Sequence, residues 1–254
     1  MKKRILALIG LGLAALTAAA QDHMYRPDTA AMLVDRYLGI MNADAMPRDS
    51  MLTLETKIYT VGTTDTFTLK RWYAWPQKHR IEVWRPDGSM QTAFSSNGNG
   101  RMRMYKPDLG YWVDITADAF YDRLSGYDWR GPLYGWRVQN ARLEYRGRVV
   151  AKDHGEMASV LVQVPERYDR EYMFEPNGLL AFIRETGNMD TSNYKPFEAA
   201  RIEMKFMHEY QAVGPMVLPR VESFVRRGRV TVQTTEAAIV GRDEMIFNAD
   251  NPTR

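Results

Sequence analysis

Apolar and polar positions alternate with period two along most of the chain from residue 51 to residue 240, and two short stretches carry a helical period instead. Period two sends successive side chains to opposite faces of a strand, whereas a period near 3.6 makes one stripe of a helix. In residues 29–41, Ala31, Val34, Tyr37, Leu38 and Met41 recur at helical spacing, with Asp28 or Thr29 placed to cap the start. Residues 42–50 are polar, hold Pro47 and read as a connector. Alternating segments then follow at 51–61, 66–75, 78–85, 90–95, 101–105 and 111–115, and resume at 141–151, 157–164, 170–175, 179–186, 201–210, 218–226 and 229–240. Asp87-Gly88, Asn97-Gly98-Asn99-Gly100, Asn177-Gly178 and Arg227-Gly228 supply turn signals between them. Within 66–75, Phe67, Leu69, Arg71, Tyr73 and Trp75 share one face, and Thr66, Thr68, Lys70, Trp72 and Ala74 the other. Pro76 ends that strand.

The alternation breaks at 117–136. Phe120, Tyr121 and Leu124 have helical spacing, and the glycine- and aromatic-rich stretch after them holds Pro132, so a short helix and a long loop interrupt the sheet. No repeat, linker or low-complexity tract divides the chain. The reading is one mainly-β domain over residues 21–254, with about ten or eleven antiparallel strands, an N-terminal helix and a mid-chain helical interruption. Strands of that number tend to curl and close to protect their edges, and a curled sheet with helices across its mouth makes an apolar container. The 14 Tyr, 9 Phe and 6 Trp suit strands, and the 16 Met suit either an adaptable lining or ordinary core filling.

The first twenty residues follow a different logic. Lys2, Lys3 and Arg4 form a basic head, residues 5–16 are apolar apart from glycines, and Ala18 and Ala20 occupy the positions that a signal peptidase reads. The apolar run is about a dozen residues, too short for a stable bilayer span. Cleavage after Ala20 and export to the periplasm are expected. Position 21 is Gln, and the chain has no cysteine, so neither a lipid anchor at the new terminus, nor a disulfide, nor thiol chemistry is expected. The three basic residues of the head account for the whole formal charge of +3, which leaves the remainder neutral. Net basicity therefore gives no argument for a nucleic-acid partner.

Catalytic patterns are missing from the sequence. His23, His79, His154 and His208 are scattered without metal-ligand spacing, and neither a G-x-S-x-G elbow nor an H-E-x-x-H helix occurs. Asn97-Gly98-Asn99-Gly100 lacks the Lys-Ser/Thr of a phosphate loop and reads as a hairpin turn. No catalytic residue, metal or cofactor is called.

Several local patterns, in order along the chain, resemble the periplasmic outer-membrane lipoprotein carriers, the LolA/LolB-like family. An exported chain opens with a helix. Leu69-Lys70-Arg71 precedes the aromatic-Pro-basic run Trp75-Pro76-Gln77-Lys78-His79-Arg80 and then Ile81-Glu82-Val83. Tyr105-Lys106-Pro107, the segment from Tyr172 to Leu180, and Tyr210-Gln211-Ala212-Val213-Gly214 with Pro219 beyond are similar to later family segments. The resemblance implies an incomplete, curved antiparallel β-barrel with an N-terminal helix and a helical lid, whose concave face binds acyl chains. It implies a soluble periplasmic carrier, monomeric and without a stable membrane anchor. Its cargo would be an acylated lipoprotein or another lipid, taken from an inner-membrane donor to an outer-membrane acceptor. In soluble carriers of the family a basic residue directly before the early-strand proline helps hold the lid closed; here that residue is Trp75, and Arg71, four residues earlier, is the nearest substitute.

A greasy surface for acyl chains needs apolar side chains on inward strand faces. The candidates are Phe67, Leu69, Tyr73, Trp75, Ile81, Val83, Met102 and Met104, with Arg71 as the polar member that would bond lid carbonyls or a cargo head group. Ordinary core packing for the apolar residues, and a rim salt bridge for Arg71, are the alternatives. Residues 118–136, with Tyr121, Leu124, Tyr127, Trp129, Leu133 and Trp136, are the lid candidate. A non-enzymatic envelope module, used for sensing or protein contact on the same fold, is the alternative function.

Overall fold

A computed structural model describes residues 27–117, 129–131, 133–151, 154–165, 168–189, 204–226 and 228–248. Its first element is the helix α1 (Pro27–Met41). Thirteen strands follow: β1 (Ser50–Thr60), β2 (Thr66–Ala74), β3 (Lys78–Trp84), β4 (Met90–Asn97), β5 (Met102–Lys106), β6 (Tyr111–Asp114), β7 (Arg142–Ala151), β8 (Gly155–Gln163), β9 (Tyr168–Phe174), β10 (Leu180–Met189), β11 (Met204–Val213), β12 (Met216–Arg226) and β13 (Arg229–Gly241). Among the described residues the strands thus number thirteen rather than ten or eleven, because each alternating segment pairs separately, down to the four residues of β6. They form one antiparallel sheet in the order β6-β5-β4-β3-β2-β1-β13-β12-β11-β10-β9-β8-β7. The order ends at β6 and β7 without joining them, which is the topology of an incomplete barrel. Among the described residues no helix is long and apolar enough to cross a membrane.

The chain divides into two compact units. Unit I comprises α1 up to Ile40, residues 133–207 and 225–227; unit II comprises residues 41–132, 208–224 and 228–254.

In unit I, β7 to β10 are consecutive antiparallel neighbours. The helix α1 buries Ala30, Val34 and Tyr37, four and then three residues apart. The buried stripe, which continues to Met41, begins at Ala30 rather than Ala31, and Asp28 and Thr29 lie within the first turn instead of before it. Tyr37 meets Phe174 of β9 edge to face, with ring centroids 6.0 Å apart. Burial of side chains this size contributes roughly 1.5–3 kcal/mol each, so packing rather than propensity sustains a helix of this length. Gly178, in the turn between β9 and β10, has φ +91°, and an added Cβ would stand 2.7 Å from Arg36 Nε and 2.9 Å from Ile40 Cδ1. Both the left-handed backbone and the helix overhead therefore require glycine there. Met157, Met173, Ala181 and Phe182 form a core cluster in this unit, supported by Val149, Ala151 and Phe206.

Unit II holds β1 to β6, β13, and parts of β11 and β12. Its strand β1 pairs β2 on one side and β13 on the other over nearly its whole length. After β13 the chain makes a 3₁₀ turn, Glu244–Phe247, capped by Asp243, whose side chain accepts from the Met245 N–H at 2.9 Å. Phe247 packs with Met51 and Ala74, flanked by Trp72 and Ile246. The stretch after residue 243 is thus a docked element through Phe247.

Candidate lipid-binding face

Strand register decides which of the candidate side chains share a surface. Phe67, Leu69, Arg71 and Tyr73 occupy one face of β2, since alternate residues point the same way. Leu69 stands opposite Val83 of β3, and Arg71 opposite Ile81. Ile81 stands opposite Phe94 of β4, Phe94 opposite Met104, and Ser96 opposite Met102. On the other side of β2, Leu69, Arg71 and Tyr73 face Thr56, Leu54 and Leu52 of β1. Directly paired residues carry their side chains on the same face of a sheet. Phe67, Leu69, Arg71, Tyr73, Ile81, Val83, Met102 and Met104 therefore fall on one face of unit II, joined there by Leu52, Leu54 and Phe94.

That face is largely closed. Leu69, Tyr73, Ile81, Met102 and Met104 are buried, while Phe67 and Val83 are half-buried. Of the lid candidate, Tyr121, Leu124 and Tyr127 lie outside the described residues. Trp129 does reach the face: its ring stands 6.0 Å from that of Tyr73, tilted by 49°. Leu133 is fully buried and belongs to unit I, as does Trp136, whose ring lies 4.2 Å from the Arg137 guanidinium. Arg137 in turn forms a bidentate pair with Asp35 of α1, at 2.9 and 2.7 Å. Its hydrogen bonds hold the Asp35 carboxyl below the ordinary aspartate range.

Trp75 departs from the expected strand face. The strand ends at Ala74, and Trp75, joined to Pro76 by a cis peptide bond, lies just past the last paired residue. Its indole N–H donates to the Met46 carbonyl at 3.1 Å, and the Arg48 guanidinium sits 5.5 Å from its ring. Trp75 thus fastens the segment after α1 instead of extending the row Phe67–Tyr73.

Arg71 is half-buried and donates to the Thr56 hydroxyl at 2.9 Å. Thr56 is fully buried and shares a second hydrogen bond, 2.8 Å long, with Thr235 of β13. A guanidinium in an apolar face needs polar company, and the two threonines supply it. Their β-branched side chains suit central strands, so the polar patch costs the sheet little.

The opposite face of β3 holds residues that alternation alone did not single out. Arg80 and Glu82 form a buried ion pair, with side chains only 5% exposed and the Arg80 Nη2 atom 2.6 Å from Glu82 Oε1. Arg80 Nε donates to the same oxygen at 2.7 Å, and Trp84 Nε1 donates to Glu82 Oε2 at 3.1 Å. Arg80 also donates to the Ile246 carbonyl at 3.0 Å and lies 5.4 Å from the Trp112 ring. Ser95 donates to the Phe247 carbonyl at 3.1 Å. This face therefore clasps the 3₁₀ turn, and beside the turn lies a polar cavity of about 390 Å³. The nearest sequence signal was the basic run Lys78-His79-Arg80; its acceptors in and beside the turn, at Glu244, Ile246 and Asn248, lie more than 160 residues away.

Hydrolytic chemistry finds little support in this geometry. His208 Nε2 and Ser223 Oγ approach to 2.7 Å, with Ser223 buried within β12. Among the described residues no cluster of three or more His, Asp or Glu side chains stands where it could hold a metal ion.

No family model and no curated protein sequence matches the chain. Solved structures do match its fold. A LolA superfamily protein from Nitrosomonas europaea superposes with a TM-score of 0.55 at 12% identity, over 87% of this chain and 98% of that one. A DUF1329 family protein from Desulfovibrio piger gives a TM-score of 0.55 at 10% identity, over 88% and 99%. A Vibrio parahaemolyticus domain named for outer-membrane lipoprotein sorting gives 0.52 at 14% identity, over 85% and 98%. The fold is LolA-like.

Proposed function

We propose that the chain, cleaved after Ala20 and exported to the periplasm, is a non-enzymatic carrier that takes acyl chains of a lipoprotein or another lipid on the apolar face of β1 to β5. The observation that carries this reading is the register itself, which gathers Phe67, Leu69, Tyr73, Ile81, Val83, Met102 and Met104 on one side of a LolA-like sheet. Transfer of an acyl chain from water gains about 0.8 kcal/mol per methylene, so a sixteen-carbon chain offers roughly 11 kcal/mol before any cost. Uncovering side chains that are now buried would consume part of this. Trp129 against Tyr73 is one contact that an entering chain has to displace. Arg71, anchored on Thr56, is placed to bond the cargo's head group or the covering segment. Donor and acceptor proteins at the two membranes belong to this reading.

The same burial favours a second reading. A face already covered, as at Leu69 and Ile81, suits a closed envelope module that senses or binds protein and takes no lipid. Native mass spectrometry of the mature protein, purified from a periplasm without detergent, separates the two. The carrier reading predicts a discrete adduct of acyl-lipid mass, reduced in Leu69→Glu. It also predicts a reduction in Phe67→Ser, whose half-buried position spares the fold. A bare polypeptide mass that takes up no added lipid or lipopeptide contradicts the carrier reading.

A further inference from the structure

Three Asn-Gly pairs occur in the chain, at 97–98, 99–100 and 177–178. Such a pair has a reactivity of its own. Glycine carries no Cβ to shield its amide nitrogen, so that nitrogen can attack the carboxamide carbon of the asparagine before it. As sequence, the three pairs are equivalent. In the fold they are not.

All three share one arrangement. Each asparagine Oδ1 accepts the N–H two residues on, from Asn99 at 3.2 Å, Arg101 at 3.3 Å and Leu179 at 2.8 Å. That bond curls the carboxamide over the following peptide. Each glycine also has positive φ: +79° at Gly98 and +91° at Gly100 and Gly178. What differs is how firmly the reacting groups are held. Asn177 Nδ2, the leaving group, donates to Glu175 Oε2 at 2.9 Å, and the Gly178 N–H, the attacking group, donates to the Glu175 carbonyl at 2.9 Å. Gly178 is also buried against Arg36 and Ile40 of α1, so closing a ring there requires the turn to leave the helix. The Gly98 N–H donates to Ser96 Oγ at 3.4 Å, and the Pro76 carbonyl oxygen stands 2.6 Å from where a Cβ would be. Gly100 has neither restraint. Asn99 and Gly100 are exposed, and nothing outside the local chain lies within 4 Å of the Gly100 Cβ position. Among the described residues no hydrogen bond engages the Gly100 N–H or Asn99 Nδ2.

We propose that Asn99 is a site of spontaneous deamidation, and that the fold protects Asn97 and Asn177 from the same reaction. The Gly100 nitrogen forms a bond to Asn99 Cγ, and the Cγ–Nδ2 bond breaks. The proton lost from the Gly100 amide leaves, by way of water, with the ammonia. Water then opens the cyclic imide at either carbonyl and gives aspartate or isoaspartate at position 99. Water is the sole co-reactant. Either product places a new carboxylate in the lining of the cavity of about 390 Å³, in company with Lys78, Arg101 and Arg103. Isoaspartate also routes the main chain through the former side chain, which removes the acceptor of the Arg101 N–H at the entry to β5.

Peptide mapping by mass spectrometry follows the three sites while the mature protein ages in mildly alkaline buffer, beside a urea-unfolded sample. In the folded protein Asn99 is expected to convert at least about tenfold faster than Asn97 and Asn177, because it alone reacts without local opening. In the unfolded sample the three rates are expected to converge. Labelling by an isoaspartyl methyltransferase identifies the isoaspartate product. Asn99→Ser, at an exposed position, is expected to abolish the fast phase of ammonia release, which a free-ammonia assay reads independently. Asn97 or Asn177 converting as fast as Asn99 in the folded protein overturns the proposal. So does an Asn99 that stays intact while the unfolded chain converts.

Discussion

Truncating Glu82 to alanine is expected to be among the most damaging single changes in unit II. Glu82 Oε1 receives two guanidinium N–H groups of Arg80, at 2.6 and 2.7 Å, and Oε2 receives the Trp84 indole N–H at 3.1 Å. Both charged side chains are 5% exposed. Glu82→Ala removes the buried carboxylate that balances the guanidinium charge, while the Ile246 and Asn248 carbonyls, at 3.0 and 3.5 Å, still accept from Arg80. Removing one partner of such a pair costs about 3–5 kcal/mol. For a chain of this size each kcal/mol lowers Tm by roughly 2–4 °C, so Tm is expected to fall by roughly 10 °C. Replacing both partners with apolar residues, Arg80→Met/Glu82→Leu, removes the stranded charge and recovers most of that loss, though it also releases the carbonyls of the 3₁₀ turn. Circular dichroism melts of wild type, Arg80→Met, Glu82→Leu and the double variant give the coupling energy directly. Hydrogen exchange at Met245–Asn248 reports whether the turn is released. A Glu82→Ala melt within about 2 °C of wild type, or single effects that simply add in the double variant, refutes the reasoning.

Tyr37→Ala empties the contact with Phe174 and is expected to cost about 3–5 kcal/mol, read as a lower urea midpoint. Gly178→Ala is expected to destabilise more than Gly88→Ala, because both have positive φ but only Gly178 has helix atoms within 3 Å of the added Cβ; equal effects contradict the packing account. Asp35 titrates below its ordinary value because Arg137 hydrogen-bonds its carboxylate. Its contribution is therefore full above the unfolded pKa and is lost as pH falls through the lower folded one. Urea midpoints compared at about pH 5 and pH 2.5 should fall less in Asp35→Asn than in wild type, by a small margin since the pair is exposed; identical falls contradict the linkage.

Alternation was enough to place each strand, because the antiparallel sheet presents two chemically distinct faces at nearly every step. Phe67, Leu69, Arg71 and Tyr73 could be assigned to one face from spacing alone, and pairing through β3, β4 and β5 extends that face to Met102 and Met104. The rule stops where pairing stops: Trp75, one residue beyond β2, turns to Met46 instead. The helix stripe holds Val34, Tyr37 and Met41 as the spacing predicts, but its first buried member is Ala30 instead of Ala31, because the two are equally apolar and only packing distinguishes them. The buried pair Arg80–Glu82 looked like the polar half of a strand. What buries it is the turn around Ile246, 166 residues away, and nothing local to β3 announces that partner.

The central claim is that acyl chains occupy one defined face of the sheet, and the alternation provides its own control. The mature protein would be loaded with a lipid carrying a diazirine at the acyl terminus, irradiated, digested and mapped by mass spectrometry. The account predicts adducts on Phe67, Leu69, Ile81, Met102 and Met104, and none on their sequence neighbours Lys70, Trp72, Arg80 and Tyr105. Labels spread evenly over both sets, or concentrated on the second, contradict it.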